Sequence, residues 1–211
     1  GMVDVDESAP AEILARILAA ETGAGDDDQA VYRRGLRHVP RLRQGAAPAI
    51  ALTRFESGTS HLVIGATGNV GPYLIRQLAE MGASTIVAVS RSGAGTLADL
   101  ATELKAQGTT LVEVAADAAD EAAMTALFDR FGADLPALEG VYLAALSGDE
   151  ALLTEMSDVQ VNTMFRPKLD AAAVLHRLTL RTPVRRFVLF SSITGILGSR
   201  WLGHYTAANT F

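Results

Sequence analysis

An open, doubly wound parallel α/β sheet is the fold class the sequence predicts for most of the chain, and three observations predict it. From Thr59 onward, short apolar runs alternate with stretches of helical period. The runs lack polar alternation, as expected of strands buried on both faces. The first run ends in a glycine-rich turn, GATGNVG (65–71), that opens a helix.

Each element follows in order. HLVIG (61–65) reads as the first strand, and NVGPYLIRQLAEMG (69–82) as a helix stopped by Gly82. STIVAVS (84–90) is the second strand and GTLADLATELKAQG (95–108) its helix, again closed by glycine. TTLVEVAA (109–116) is the third strand and DEAAMTALFDRFG (120–132) the third helix. GVYLAA (140–145) is the fourth strand, 158–180 is helical on both sides of Pro167, and RRFVLFSS (185–192) is the fifth strand. Right-handed crossovers between such strands wind helices onto both faces.

The first 57 residues read differently. MVDVD is a short strand, 9–23 an amphipathic helix with Ile13, Leu14, Ile17 and Leu18 on its apolar face, and GDDD (25–28) a solvated turn. Residues 30–42 suggest two short strands joined at Arg34-Gly35, and 44–58 resembles a linker. This is too little to fold alone. Residues 1–57 are therefore expected to be the tail of a preceding unit plus linker, and 58–211 a nucleotide-binding unit. After the fifth strand, one loop and the opening of a helix remain. An uncovered apolar edge strand invites aggregation, so the 211 residues are expected to be an excerpt that is C-terminally incomplete.

Composition bounds the chemistry. The net charge of −6 argues against a nucleic-acid surface. The chain has no cysteine, which excludes thiolate zinc sites, disulfides and a thiol nucleophile, and fits a cytoplasmic setting. No metal site is expected. No apolar run reaches the roughly 18 residues a membrane span requires.

Glycines at 65, 68 and 71 let the backbone approach a pyrophosphate, while the helix start offers N–H groups and the positive end of its dipole. A plain strand-to-helix turn is the simpler alternative. Where NAD-binding sheets usually place an acidic residue after the second strand, this chain has Ser90 and Arg91. A guanidinium suits a 2′-phosphate, which points to NADPH, against an ordinary surface arginine. Asp117 either accepts from the adenine amino group or caps a helix. Ser192 ends the fifth strand, Tyr205 follows 13 residues later, Asn209 stands one turn beyond it, and Lys168 lies on the preceding long helix. Converging, such a set reduces a carbonyl. Tyr donates a proton to the developing alkoxide, Ser hydrogen-bonds the same oxygen, and Lys⁺ eases the proton's departure and holds the cofactor ribose. Asn209 is placed to fix a water or the lysine.

The stretch FVLFSSITGILGSRWLGHYTAAN resembles the ketoreductase domain of modular (type I) polyketide synthases, relatives of the short-chain dehydrogenases/reductases (SDR) with their Rossmann-like sheet. Single-domain relatives carry Tyr and Lys four apart. The synthase domains have Tyr then Asn, with Lys moved upstream, as Tyr205, Asn209 and Lys168 show. HLVIGATGNVG resembles the family's cofactor turn, AVSRSG its NADPH-selecting segment and AADAAD (115–120) its adenine-contacting stretch. GMVDVDES and DDQAVYRRGLRHVPRL resemble the end of the family's structural subdomain. The resemblance implies catalytic Ser192, Tyr205, Lys168 and Asn209. It implies a cofactor site of Gly65, Ala66, Thr67, Gly68, Asn69, Val70 and Gly71, with Ser90, Arg91, Asp117, Ala144, Ala145, Lys168 and Tyr205. It further implies NADPH-dependent reduction of a β-ketoacyl thioester on the phosphopantetheine of an acyl carrier protein, beside other synthase domains in one polypeptide.

The chain departs from that pattern at Ile64, where a Thr is usual, at Leu143 in place of a His, and at Leu146 in place of a Gly. Leu146 is expected near the nicotinamide path and keeps a degenerate, non-reducing domain in view. The other rival is a stand-alone NADP-binding regulator or epimerase relative, against which Tyr205 and Asn209 argue. Gly148, Asp149 and Glu150 imperfectly match the Leu-Asp-Asp of domains giving the D-hydroxyl product. Leu197 stands where the opposite type has Trp, so the product is expected to be of the first kind (B type).

Overall fold

The computed structural model describes residues 2–23, 27–46, 54–93 and 95–211. The linker expected over 44–58 falls partly outside them, as does half of the turn expected at 25–28. The chain forms two compact units, residues 1–51 and 52–211.

In the first unit, β1 (Met2–Asp4) pairs in parallel with β2 (Gln29–Arg33), after α1 (Ala11–Gly23). β2 turns back into β3 (Leu36–His38) in antiparallel register. The turn between them is Arg34-Gly35, with φ of 52° and 75°. Two successive positive φ values are what a two-residue hairpin matching strand twist requires. The Arg37 guanidinium grips Glu21 of α1 at 2.6 Å, and the Tyr32 hydroxyl donates to the same carboxylate at 2.6 Å. Together they hold that carboxyl down to about 2.

The second unit is the expected doubly wound sheet. Its strands are β4 (Ser60–Ile64), β5 (Thr85–Ser90), β6 (Thr110–Ala115), β7 (Leu138–Leu143) and β8 (Arg186–Leu189). All pair in parallel in the order β6-β5-β4-β7-β8. The order reverses direction at β4, which leaves a crevice at the carboxyl ends of β4 and β7, where open sheets bind ligands. The crossovers carry α2 (Gly71–Glu80), α3 (Ala98–Ala106), α4 (Glu121–Phe128), α5 (Asp158–Phe165) and α6 (Ala171–Thr179).

Alternation along β4 divides the core. Leu62 and Ile64 pack with Met124 of α4 and Leu175 of α6 on one face. Val63 packs with Ile75 of α2 and Leu104 of α3 on the other. Leu62, Met124, Leu175, Ile75 and Leu104 are all fully buried. Each such side chain contributes on the order of 1.5–3 kcal/mol relative to exposure. Caps are built from the sequence as well. Asp120 accepts from the amides of Ala122 and Ala123 to open α4, and Ser157 with Gln160 forms a capping box on α5.

The stretch 158–180 is helical on both sides of Pro167, and the two helices meet in a wider turn. A π turn, Arg166–Asp170, joins α5 to α6, and the Ala171 amide donates to the Arg166 carbonyl. Pro167 has no N–H to continue the α ladder, so the chain takes one wide turn and resumes. After β8 come a short helix, α7 (Thr194–Leu197), which the sequence reading missed, and α8 (Gly203–Thr210). β8 lies at the sheet edge, with Val188 and Leu189 38% and 47% exposed. No helix among the described residues is long and apolar enough to cross a membrane.

At the amino ends of the strands, a buried polar cluster fastens the segment that leads into the sheet. Glu139 accepts from Thr59 Oγ1 at 2.7 Å and from the Glu56 amide at 3.1 Å, and it pairs with Arg186. His61, fully buried, lies beside it, and its Nδ1 is 3.4 Å from the Tyr142 hydroxyl.

Candidate active site

A cavity of about 460 Å³ opens at the carboxyl ends of the sheet, between Ile64, Ser90, Ala144 and Phe190. Its floor is the glycine turn. Gly65 has φ of 82°, and a Cβ there would meet the Ala145 Cα at 2.6 Å. A Cβ on Gly71 would meet the Ala66 carbonyl oxygen at 2.2 Å. Side chains are thus excluded from the turn, which leaves its backbone bare in the way a phosphate site requires. Gly65, Thr67, Gly68, Asn69 and Val70 line the cavity, while Ala66 and Gly71 lie buried beneath it. Amides of Gly65 and Ala66 donate to the Val89 carbonyl at 3.0 and 3.2 Å, pinning the turn to β5. This cradle of backbone and small side chains fits a dinucleotide pyrophosphate.

Ser90 and Arg91 stand at the β5 end of the cavity. The Arg91 guanidinium donates to Ser147 Oγ at 3.2 Å. Because β4 lies between β5 and β7, that side chain spans the mouth of the crevice. Asp117 also lines the cavity, and it does not cap α4, since Asp120 does. Its carboxylate accepts from the Ala119 amide at 2.9 Å and from Arg166 Nε at 2.8 Å. Burial alone would raise this carboxyl, but the Ala119 amide and the Arg166 guanidinium hold it below the ordinary range. Arg166 was not singled out from sequence, because nothing local marks a partner 49 residues away.

Ala144, Ala145, Lys168 and Tyr205 wall the opposite end. Lys168 sits within the π turn. Its ammonium donates to the Phe190 carbonyl at 2.9 Å and lies 5.5 Å from the centroid of the Tyr205 ring. Burial lowers its pKa from the usual lysine value. Lys168 and Tyr205 therefore stand together at this wall.

Ser192 and Asn209 stand further back. Ser192 Oγ accepts from the Thr194 amide at 3.2 Å and from Thr194 Oγ1 at 3.0 Å, and it does not line the cavity. Its neighbour Ser191 does, and donates to the Asn209 carbonyl at 2.9 Å. Asn209 donates its Nδ2 to the Tyr205 carbonyl at 2.7 Å. Its Oδ1 is buried without a partner, and the residue borders a small adjoining cavity of about 60 Å³ together with Lys168. Leu146, 55% exposed, lines the main cavity.

An open parallel sheet with a glycine turn at its switch point, and Tyr205 and Lys168 beside it, defines the doubly wound, Rossmann-like class of fold. Residues 59–211 match the KR domain family, and the chain belongs to it, as the ketoreductase domain of a type I modular polyketide synthase. It is 59% identical, over its whole length, to a phenolphthiocerol/phthiocerol polyketide synthase of Mycobacterium bovis, and covers 14% of that protein. It is 34% identical to the pikromycin polyketide synthase component PikAIII of Streptomyces venezuelae, over 99% of this chain and 14% of that one. Among solved structures, one described as A-type ketoreductases from a modular polyketide synthase superposes with a TM-score of 0.85 at 35% identity. That match covers 99% of this chain and 45% of the other. The chain thus spans a minor part of these relatives' lengths.

Proposed function

We propose that the domain reduces a β-ketoacyl group, tethered as a thioester to an acyl carrier protein, to the β-hydroxyacyl form with NADPH. The convergence of Lys168 and Tyr205 at the wall of a cavity floored by the glycine turn carries this reading. NADPH, when bound, supplies the hydride that reaches the β-carbon. Tyr205 gives its phenolic proton to the oxygen that becomes the alcohol. The ammonium of Lys168, held by the Phe190 carbonyl and facing the Tyr205 ring, favours that proton's departure. Ser192 is assigned a second hydrogen bond to that oxygen, for which its Oγ must turn from Thr194 toward the cavity. Arg91 and Asp117 are assigned the 2′-phosphate and adenine ends of the cofactor. The hydroxyl product is assigned to the B type.

The test follows NADPH absorbance with a decalone as surrogate ketone, in the synthase chain, beside Tyr205→Phe. Tyr205→Phe should bind NADPH and lose roughly two to four orders of magnitude in kcat. Wild-type turnover in Tyr205→Phe would end the proposal. Leu146 in the cavity wall favours one alternative, a non-reducing domain, which a wild type that neither binds NADPH nor reduces carrier-bound substrate would support.

A further inference from the structure

His204 directly precedes Tyr205 and takes no part in the chemistry above. It is 3% exposed. Its Nε2 lies 3.0 Å from the carbonyl oxygen of Asp149. A carbonyl only accepts, so Nε2 donates to it. Nδ1 is buried with no hydrogen-bond partner, so a single directed bond orients the ring.

That bond joins two segments which meet at a second place. The Ala151 amide donates to the Trp201 carbonyl at 2.8 Å, and Ala151 forms a parallel bridge with Leu202. The loop so fastened is the one that walls the cavity. It leaves β7 with the Ala144 amide on the Ile64 carbonyl at 3.0 Å, and it presents Ala145, Leu146 and Ser147 to the cavity. Gly148 then takes φ of 104° immediately before Asp149. On the other side, α8 begins without a side-chain cap. Its first turn, which carries Tyr205, is therefore set by flanking contacts.

We propose that His204 is a positioning residue. Its Nε2–H bond to Asp149 latches the first turn of α8, and with it Tyr205, to the loop that walls the cavity. The functional consequence rests on the reductase reading: whatever presses on residues 145–148 is transmitted through Asp149 and His204 to the proton donor. The latch itself is a property of the fold and is testable without turnover.

Two variants and one ligand-free measurement decide it, in the synthase chain. His204→Leu removes the donor, and His204→Gln restores an N–H of similar reach. His204→Leu should lower kcat roughly tenfold to a hundredfold, as a small misplacement of a reacting group does. KM for NADPH should stay within about twofold, and His204→Gln should recover most of the kcat. An unchanged kcat in folded His204→Leu would overturn the proposal, as would no recovery by His204→Gln. Hydrogen–deuterium exchange without ligand separates this from the reductase reading. His204→Leu should speed exchange in both 146–151 and 203–210. Acceleration on one side alone would overturn the latch, whether or not the wild type reduces ketones. If His204→Leu does not fold, His204→Gln against wild type gives the same reading: matched exchange on both sides supports the latch, and divergence on one side overturns it.

Discussion

The ammonium of Lys168 donates to the Phe190 carbonyl at 2.9 Å and stands 5.5 Å from the centre of the Tyr205 ring. Three elements far apart in sequence meet there: the π turn, the end of β8 and α8. The ammonium is aimed by a backbone carbonyl rather than a carboxylate, so it is held in place and keeps its charge uncancelled.

Pro167→Ala restores the missing N–H and should let the π turn close into regular α-helix. A one-residue change of register rotates Lys168 away from Phe190. Interior proline opposes a regular helix by about 3 kcal/mol, so thermal stability should hold or rise while kcat falls at least about tenfold. Melting curves and NADPH oxidation measured on the same preparation check both halves. A variant with unchanged kcat would show that the wide turn does not aim the lysine.

Arg91→Ala should weaken NADPH binding by roughly tenfold to a hundredfold and leave NADH nearly unaffected, because a charged hydrogen bond to phosphate contributes about 1.5–3 kcal/mol. Fluorescence titration with the two nucleotides reads the ratio. Equal losses for both would remove Arg91 from the 2′-phosphate. Ser147→Ala frees Arg91 from its present partner and should not weaken NADPH binding.

Gly71→Ala places a methyl 2.2 Å from the Ala66 carbonyl oxygen. Backbone cannot yield there without moving the turn, so NADPH binding should be abolished and the melting temperature should fall. Gly132→Ala serves as the contrast. Its added Cβ meets nothing within 4 Å, although its φ of 86° adds some strain. Its nucleotide affinity should be unchanged in a titration.

His61 gives a pH dependence of stability. Burial pushes its imidazole from 6.5 down to about 4, against the pull of Glu139. Between those values the unfolded chain binds a proton that the folded chain refuses. Stability is therefore full above about pH 6.5 and falls as pH drops toward 4, by about 3 kcal/mol from this group. The Glu139 carboxyl, also held low, adds a loss of the same sign as pH falls through its folded value. Urea unfolding between pH 7.5 and 4 should show the decline, and His61→Leu should flatten its upper part. An identical slope in the variant would assign the decline elsewhere.

Much of the molecule was legible in the chain itself. The unbroken apolar runs specified a parallel sheet, because strands buried on both faces need no polar alternation. GATGNVG announced the tight turn from β4 into α2, since its glycines are required by the close approaches at Gly65 and Gly71. Arg34-Gly35 marked the hairpin. The Tyr-to-Asn spacing with an upstream Lys pointed to the pairing of Tyr205 with Lys168.

Other features were decided only by the tertiary structure. Pro167 marked a break in the helix, but not that a π turn would bridge it and lodge Lys168. That outcome depends on Phe190, which comes into reach only once β8 joins the sheet. The Arg166 partner of Asp117 could not be read locally, because folding alone brings that guanidinium near, whereas the bonds of Ser192 to Thr194 and of Asn209 to Tyr205 close within four residues. The Glu139–Arg186–His61 cluster and the His204–Asp149 bond join residues that have no fixed spacing. Periodicity and turn chemistry are local and are written in the sequence, whereas a hydrogen bond between distant segments exists only after packing has set their separation.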